Sequence, residues 1–130
     1  MITCAPGAHV IILSGEGYSL MWPDGWDKPM RYDWEVGTMI VPPNAVYHQH
    51  FNTGKTPARY LAFKYAGSPR NSQGVLLCFL SRRIGGDQLD YADETAEVRQ
   101  MFTDALAQNG LTSRMEEHYR KELATLPPKP

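Results

Sequence analysis

The sequence predicts a mainly β protein, a small antiparallel β-sandwich or β-barrel followed by two α-helices. Up to about residue 90, the apolar residues stand in short runs separated by Gly, Pro, Asn and Asp, which is the pattern of closely spaced strands. Beyond that point the apolar residues recur at the three- and four-residue intervals of an amphipathic helix. We therefore divide the chain into a β domain over residues 1–90 and a helical extension over residues 91–130.

The predicted strands of the β domain cover residues 9–13, 17–22, 29–34, 38–41, 46–51, 58–65 and 75–80. Clusters of residues typical of turns separate them, such as those at residues 15–17 and 42–44. Strands this short and this closely spaced are typical of a sandwich or a small barrel. Residues 81–91, which contain Arg82, Arg83 and two adjacent glycines, are predicted to form a loop.

Two helices are predicted in the C-terminal extension. The first has Asp93 as its N-cap and stops at Gly110. The second starts at Ser113, which forms a capping-box pair with Glu116, and ends at Pro127. Both helices are amphipathic, so we expect each of them to pack on the β domain or on a partner subunit.

Composition and charge narrow the classes of function. The chain has 130 residues, of which 42% are hydrophobic and 21% charged, as in ordinary globular domains. A net charge of −1 without a dense Lys/Arg run argues against nucleic acid or a membrane surface as a partner. The apolar runs are far shorter than the about 20 residues of a membrane helix, and the N-terminus does not resemble a secretory signal. We therefore expect a cytoplasmic protein.

The most informative segment is GTMIVPPNAVYHQHFN at residues 37–52. Alternate residues of a strand share a face, so His48, His50 and Asn52 are predicted to lie on one side. Imidazole nitrogens suit Zn, Fe, Ni or Cu, and two on one strand face can reach the same ion. A protein metal site ordinarily has about three or four protein ligands, and this strand supplies only two. A pocket-lining role for one histidine therefore stays open beside metal ligation.

This segment resembles the second conserved motif of the cupin superfamily, G(X)5PXG(X)2H(X)3N. Four of its five anchor residues are present: Gly37, Pro43, His48 and Asn52. The stretch HVIILSGEGYSL similarly resembles the end of the first cupin motif. The resemblance spans about residues 8–65 and implies a small antiparallel β-barrel, cupin- or jelly-roll-like, with a metal or small ligand inside. It also implies that His48 ligates a divalent transition metal, Fe, Mn, Zn or Ni.

The chain departs from the family pattern at two places. Ala45 stands where the second motif has Gly, so we expect the turn to avoid a conformation that glycine alone adopts freely. The first motif supplies two His and one Glu, but with its final Gly on Gly15 the Glu position falls on Ala8 and its His positions hold no histidine. The chain thus resembles the C-terminal part of a longer cupin, N-terminally truncated. Its metal site is expected to be atypical or empty.

The missing N-terminal part of the motif affects what we expect of His9 and of the strand edges. His9 is either a substitute metal ligand, turned inward by a β-bulge, or a hydrogen-bonded residue at a strand end. A cupin barrel has strands before its first motif, and their absence is expected to leave an open edge. We therefore expect a homodimer or a higher closed oligomer, joined through exposed strand edges.

Large aromatic residues crowd into the same part of the sequence: Tyr18, Trp22, Trp26, Tyr32 and Trp34. They either form the core of the β domain or stack on a sugar or an aromatic ligand. Tyr18 and Trp22 alternate along one strand and so share a face. With Asn52, these two residues are the ones that we predict to bind the small molecule.

Two functions are compatible with these features. The first is a cupin-fold protein that binds a small molecule and keeps a degenerate metal site. The alternative is a metal-dependent enzyme, dioxygenase- or isomerase-like, acting on a small organic or phenolic acid, in which His48, His50 and His9 hold the ion. The missing ligands of the first motif favour binding, whereas the retained histidines favour the enzyme. We expect binding rather than catalysis.

Overall fold

The computed structural model describes residues 2–4, 8–64 and 69–129, and for residues 2–4 it describes the backbone. The strands are β1 (Ile2–Cys4), β2 (Ala8–Ser14), β3 (Gly17–Pro23), β4 (Met30–Trp34), β5 (Met39–Ile40), β6 (Val46–Asn52), β7 (Arg59–Lys64) and β8 (Gln88–Leu89). The α-helices are α1 (Ala96–Gln108) and α2 (Met115–Thr125), and short 3-10 helices span Leu77–Phe79, Arg82–Ile84 and Tyr91–Asp93. The prediction of a mainly β chain followed by two helices is confirmed.

The strands form two antiparallel sheets. The larger sheet has the order β4-β3-β6-β1-β8, and the smaller has the order β5-β2-β7. In the larger sheet, Ser19 of β3 lies opposite His50 of β6, and Met21 lies opposite His48. In the smaller sheet, β2 and β7 pair from Ala8 opposite Lys64 onward. Within the described ranges no strand joins the two sheets, so closure into a barrel stays a prediction.

An apolar core lies between the two sheets. Alternation along β2 turns Ala8, Val10 and Ile12 toward the larger sheet, where they are buried. Met21 and Trp34 of the larger sheet belong to the same core. We call the side of the larger sheet that carries Met21 the inner face. Burial of this apolar area, at roughly 25 cal/mol per Å², is the main force that holds the two sheets together.

Helix α1 covers the opposite side of the larger sheet, which we call the helix face. The residues of this second core are Tyr18, Leu20, Phe51, Val98 and Ala105. Strands β3 and β6 are therefore buried on both sides. Helix α1 packs on the β domain, which was one of its two expected partners. None of the helices among the described residues has the length and apolar character needed to cross a membrane.

Two predictions after residue 70 are wrong. Residues 75–80, predicted as a strand, contain the 3-10 helix Leu77–Phe79, because a short continuous apolar run has no period that separates strand from helix. Residues 81–91 are not a loop, since Arg82–Ile84 forms a 3-10 helix and β8 pairs with β1. The end of the predicted strand at residues 58–65 is only partly testable, because Tyr65 lies outside the described residues.

A short strand that the sequence did not predict lies beside β6. β1 pairs with β6, with Thr3 opposite His48, and carries β8 on its other side. A strand of three residues is too short to show an alternating pattern in the sequence, which is why the sequence did not reveal it. The exposed edge strand of interest is β7, whose six residues are all exposed.

Both helices begin later than predicted. The N-cap of α1 is Thr95, whose Oγ1 accepts a hydrogen bond from the Val98 amide at 3.4 Å. Asp93 does not cap the helix because its carboxylate is paired with Arg83. α2 begins at Met115, and the Ser113 hydroxyl accepts from the Met115 amide. The ion pair of Asp93 with Arg83 thus explains why α1 is capped by Thr95 and not by Asp93.

The turn before β6 contains a residue other than glycine with a positive φ. Ala45 has a φ of 59°, in the left-handed region, contrary to the expectation that alanine would move the turn out of it. The cost of that conformation for an L-residue is about 1–2 kcal/mol. The pairing of β6 with β3 over its whole length holds the turn in place despite this cost.

Candidate functional site

His48 and His50 lie side by side on the inner face of the larger sheet. Their ring centroids are 5.6 Å apart, as the two-residue period of β6 predicts. His48 is buried, at 9% exposure, and His50 is half-buried. The ring of Tyr60, from β7 of the facing sheet, lies 5.7 Å from the ring of His50. The histidine pair therefore faces the space between the two sheets.

A hydrogen-bonded chain fixes the ring of His50. The indole Nε1 of Trp34 donates to Ser19 Oγ at 3.1 Å, and Ser19 Oγ lies 2.7 Å from His50 Nδ1. Because an indole N–H can only donate, the buried hydroxyl accepts from Trp34 and keeps one hydrogen and one lone pair for His50. Ser19 can therefore serve either tautomer of His50. The ring stays oriented whether its Nε2 donates or accepts.

A contact with the backbone favours one tautomer of His48. Its Nδ1 lies 3.3 Å from the carbonyl oxygen of Val46, which can only accept. The hydrogen of the neutral ring therefore lies on Nδ1, and the lone pair lies on Nε2. A neutral imidazole with its lone pair on Nε2 is the form that accepts a hydrogen bond or ligates a metal ion.

Burial keeps both imidazoles neutral. It lowers the pKa of His48 below its ordinary value, with a further lowering by the charge of Lys64. It lowers the pKa of His50 to about 4, and the neighbouring charges of His48 and Lys64 act in the same direction. Near neutral pH the pair therefore presents two uncharged rings to the space between the sheets.

The structure does not bring His9 to this pair. His9 lies on β2 opposite Phe63 and is exposed, because alternation turns its neighbours Ala8 and Val10 inward. The register shift of β2 lies between Ile12 and Ser14, so no bulge turns His9 inward. Of the two alternatives for His9, a residue at a strand end agrees with its place as the second residue of β2.

The donor set on the inner face does not complete a metal site. Across residues 8–64 and 69–129, no group of three or more His, Cys, Asp or Glu side chains is placed to hold an ion. A catalytic metal ion is ordinarily held by about three protein ligands, and the two imidazoles supply only two. By themselves, the described side chains therefore do not complete the metal site that the cupin resemblance implies.

Asn52 holds a turn. Its Nδ2 donates to the carbonyl oxygen of Thr56 at 2.9 Å, and its Oδ1 accepts from the Gly54 amide at 3.1 Å. Both ends of the amide are therefore engaged in the loop that follows β6. In this arrangement the side chain of Asn52 stabilises the loop at the end of β6.

Tyr18 and Trp22 lie on the helix face, away from the histidines. Tyr18 is fully buried, its ring stacks on Phe51 at 4.7 Å, and burial raises its pKa to about 12. Trp22 is half-buried and stacks on Tyr47 at a centroid distance of 5.8 Å. The residues predicted to bind a ligand thus divide between the two faces of the larger sheet.

A cavity of about 690 Å³ opens on the helix face beside Trp22. Gln49 and Glu94 line it, and sequence reasoning missed both. Gln49 is only 3% exposed, and it stands between two aromatic residues that share its face, Tyr47 and Phe51. A polar residue at the centre of an otherwise apolar strand face was the signal that could have found it.

Comparison with known proteins adds no relative: no protein-family model, no curated protein and no solved structure matches this chain.

Proposed function

We propose that the chain is a cupin-like protein that binds a small organic acid between its two sheets, at His48 and His50. The observation that carries this proposal is the pair of neutral imidazoles, 5.6 Å apart, on the inner face. In this proposal the two sheets are the walls of an open, jelly-roll-like barrel. The resemblance of residues 37–52 to the second cupin motif supports that interpretation.

Lys64 supports an acidic ligand. It lies opposite Ala8 in the β2–β7 pairing, so its side chain is on the side of the smaller sheet that faces the histidines. Its positive charge lowers the pKa of both His48 and His50, which means that it lies within electrostatic reach of both rings. A bound carboxylate would be attracted by Lys64 and would stabilise the protonated form of either imidazole.

Benzoate is a suitable probe, followed through the side-chain ¹H–¹⁵N signals of the four histidines. We expect saturable shifts of the His48 and His50 signals and no shift of the exposed His9 and His118. Binding should strengthen from pH 7 to pH 5, because the carboxylate favours uptake of a proton by the pair. Unmoved signals for His48 and His50, or equal shifts of all four histidines, would contradict the proposal.

A metal-dependent enzyme acting on a small organic or phenolic acid is the second candidate. The same two neutral rings favour it, since imidazole is a ligand for Fe, Mn, Zn and Ni. A bound ion would supply Lewis-acid polarisation of the substrate. It would need a third donor from beyond the described side chains or from the substrate itself.

Elemental analysis of protein purified without a nickel column separates the two candidates. The enzyme predicts near-stoichiometric metal that His48→Ala removes and His118→Ala leaves in place. The binding protein predicts no retained metal in either variant, together with intact benzoate binding by the parent chain.

We also propose self-association through the edge strand β7. Its outward side carries Leu61 and Phe63, which are 48% and 56% exposed. Leu13 and Met39 continue the same apolar surface across the smaller sheet. Antiparallel pairing of two β7 edges would be two-fold symmetric and would join two three-stranded sheets into one.

A further inference from the structure

The cavity on the helix face has the features of a second binding site. It lies between the larger sheet, the residues that follow β3 and the N-terminal turn of α1. Its volume of about 690 Å³ is in the range of small-molecule sites. Its apolar lining residues are Trp22, Trp26, Pro29, Leu89, Val98 and Met101. A ligand with an apolar or aromatic body would be buried by them.

A buried acceptor without a partner lies in the wall of this cavity. The side-chain amide of Gln49 donates through Nε2 to Glu94, while its Oε1 has no hydrogen-bond partner among the residues that the structure describes. A buried acceptor left unpaired destabilises the folded protein, because the group has lost its hydrogen bonds to water. The group that would relieve this cost is a hydrogen-bond donor placed inside the cavity.

The charge around the cavity selects the kind of donor. Asp27, Glu94 and Glu97 line it with Lys28, whereas Asp93 is already paired with Arg83. Glu94 accepts from Gln49 and from the Tyr119 hydroxyl, and both donors are uncharged. The carboxylates that remain outnumber the single lysine, so a cation is attracted and an anion is repelled. The exposed face of Trp26 adds a favourable surface for a cation.

We infer that this cavity binds a small organic cation, a protonated primary amine attached to an apolar or aromatic body. The ammonium group would donate to Gln49 Oε1 and to the Glu94 carboxylate. The body would lie against Trp22 and Met101. The site is separate from the proposed histidine site, because Gln49 projects from the opposite face of β6.

Three probes with one body test the inference: phenethylamine, 2-phenylethanol and 3-phenylpropionate. We expect phenethylamine to shift the Trp22 indole N–H and the Gln49 side-chain amide signals saturably, and more strongly at low salt. The neutral alcohol should bind at least about tenfold more weakly, since a hydrogen bond from a charged donor is stronger than one from a neutral donor. The acid should not shift these signals.

Variants separate the acceptor from the charge. Gln49→Met keeps the volume and removes the acceptor, so phenethylamine binding should weaken about tenfold or more. If Gln49→Met fails to fold, the exposed Glu97→Gln and Trp26→Ala should each still weaken binding, while Glu117→Gln on α2 should not. Equal binding of all three probes, or phenethylamine shifts at His48 and His50 instead of Trp22, would overturn the inference. Equal binding of the three probes at this cavity would leave the proposal of benzoate binding at the histidine pair unchanged.

Discussion

Burial sets the protonation state of His50, and this has a consequence for stability. The pKa of His50 in the folded protein is about 4, below the about 6.5 of an unfolded chain. Between these values the unfolded chain binds more protons than the folded one, so unfolding becomes easier as the pH falls. Through this one group, the free energy of unfolding falls by about 3 kcal/mol between about pH 6.5 and about pH 4.

Thermal unfolding measured from pH 7.5 to pH 4 tests this dependence. His50→Gln should flatten the fall in stability over this range, because it removes the group that must be kept uncharged. His118→Gln, at an exposed position on α2, should leave the slope as it is. The same slope in all three proteins would show that His50 is not buried in its neutral form.

The backbone conformation of Ala45 also affects the stability of the protein. Its left-handed φ of 59° costs an alanine about 1–2 kcal/mol, which glycine does not incur. Glycine loses about 0.4–1 kcal/mol through the greater entropy of the unfolded chain. Ala45→Gly should therefore raise the free energy of unfolding by up to about 1 kcal/mol.

Urea denaturation of Ala45→Gly and of Ala62→Gly makes a matched comparison. Ala62 lies within β7 and is exposed, so glycine there should lower stability. If both substitutions lower stability, the turn before β6 does not have the left-handed conformation described for Ala45.

At the scale of elements, Arg83 connects three segments near the C-terminus. It donates to Asp93 through Nε and Nη2, at 3.1 and 2.7 Å, and through Nη1 to the carbonyl oxygen of Pro127 at 2.6 Å. Its side chain is only 8% exposed. The 3-10 helices around residues 83 and 92 are therefore tied to the chain that follows α2.

Replacing Arg83 should loosen this connection. Arg83→Lys keeps the charge and loses the forked geometry, so we expect a lower melting temperature and faster amide exchange in residues 91–93. Arg82→Lys is the matched control, since Arg82 belongs to the same 3-10 helix but makes an exposed pair with Asp24 at 3.5 Å. Equal melting temperatures for the two variants would contradict the buried role of Arg83.

The secondary structure elements differ in how well the sequence predicts them. Strands β2, β3 and β6 were predicted within about two residues, because each carries turn residues at its ends and a period of two or a long apolar run. β1 and β8 were not, because strands of two or three residues carry no period. The burial of Arg83 depends on Asp93 and Pro127, which are distant in sequence.

At the scale of the whole molecule, the layer order decides which predicted site residues meet. The alternation of β6 placed His48 and His50 together without any knowledge of the other strands. Tyr18 and Trp22 share a face, as predicted, but that face lies under α1 rather than beside the histidines. Which face of a strand meets a helix and which meets a sheet depends on packing between distant elements, and the local period carries no information about it.

The exposed edge of β7 makes the prediction of self-association testable. We expect a dimer in sedimentation velocity at high micromolar concentration, through pairing of β7 edges. Phe63→Glu should shift it to monomer, because a charge replaces an apolar residue at the joined edge. Leu123→Glu, at an equally exposed apolar residue of α2, should leave it dimeric. A monomeric, well-folded parent protein at that concentration would contradict the proposal.

The central claim is that the rings of His48 and His50 face the space between the two sheets. Nuclear Overhauser contacts from the His50 ring test it most directly. We predict contacts with the ring of Tyr60 on the facing sheet and with the indole N–H of Trp34, which shares Ser19 with His50. Contacts from His50 to Val98 or Phe102, which belong to α1 and pack on the opposite face of the larger sheet, would contradict this arrangement.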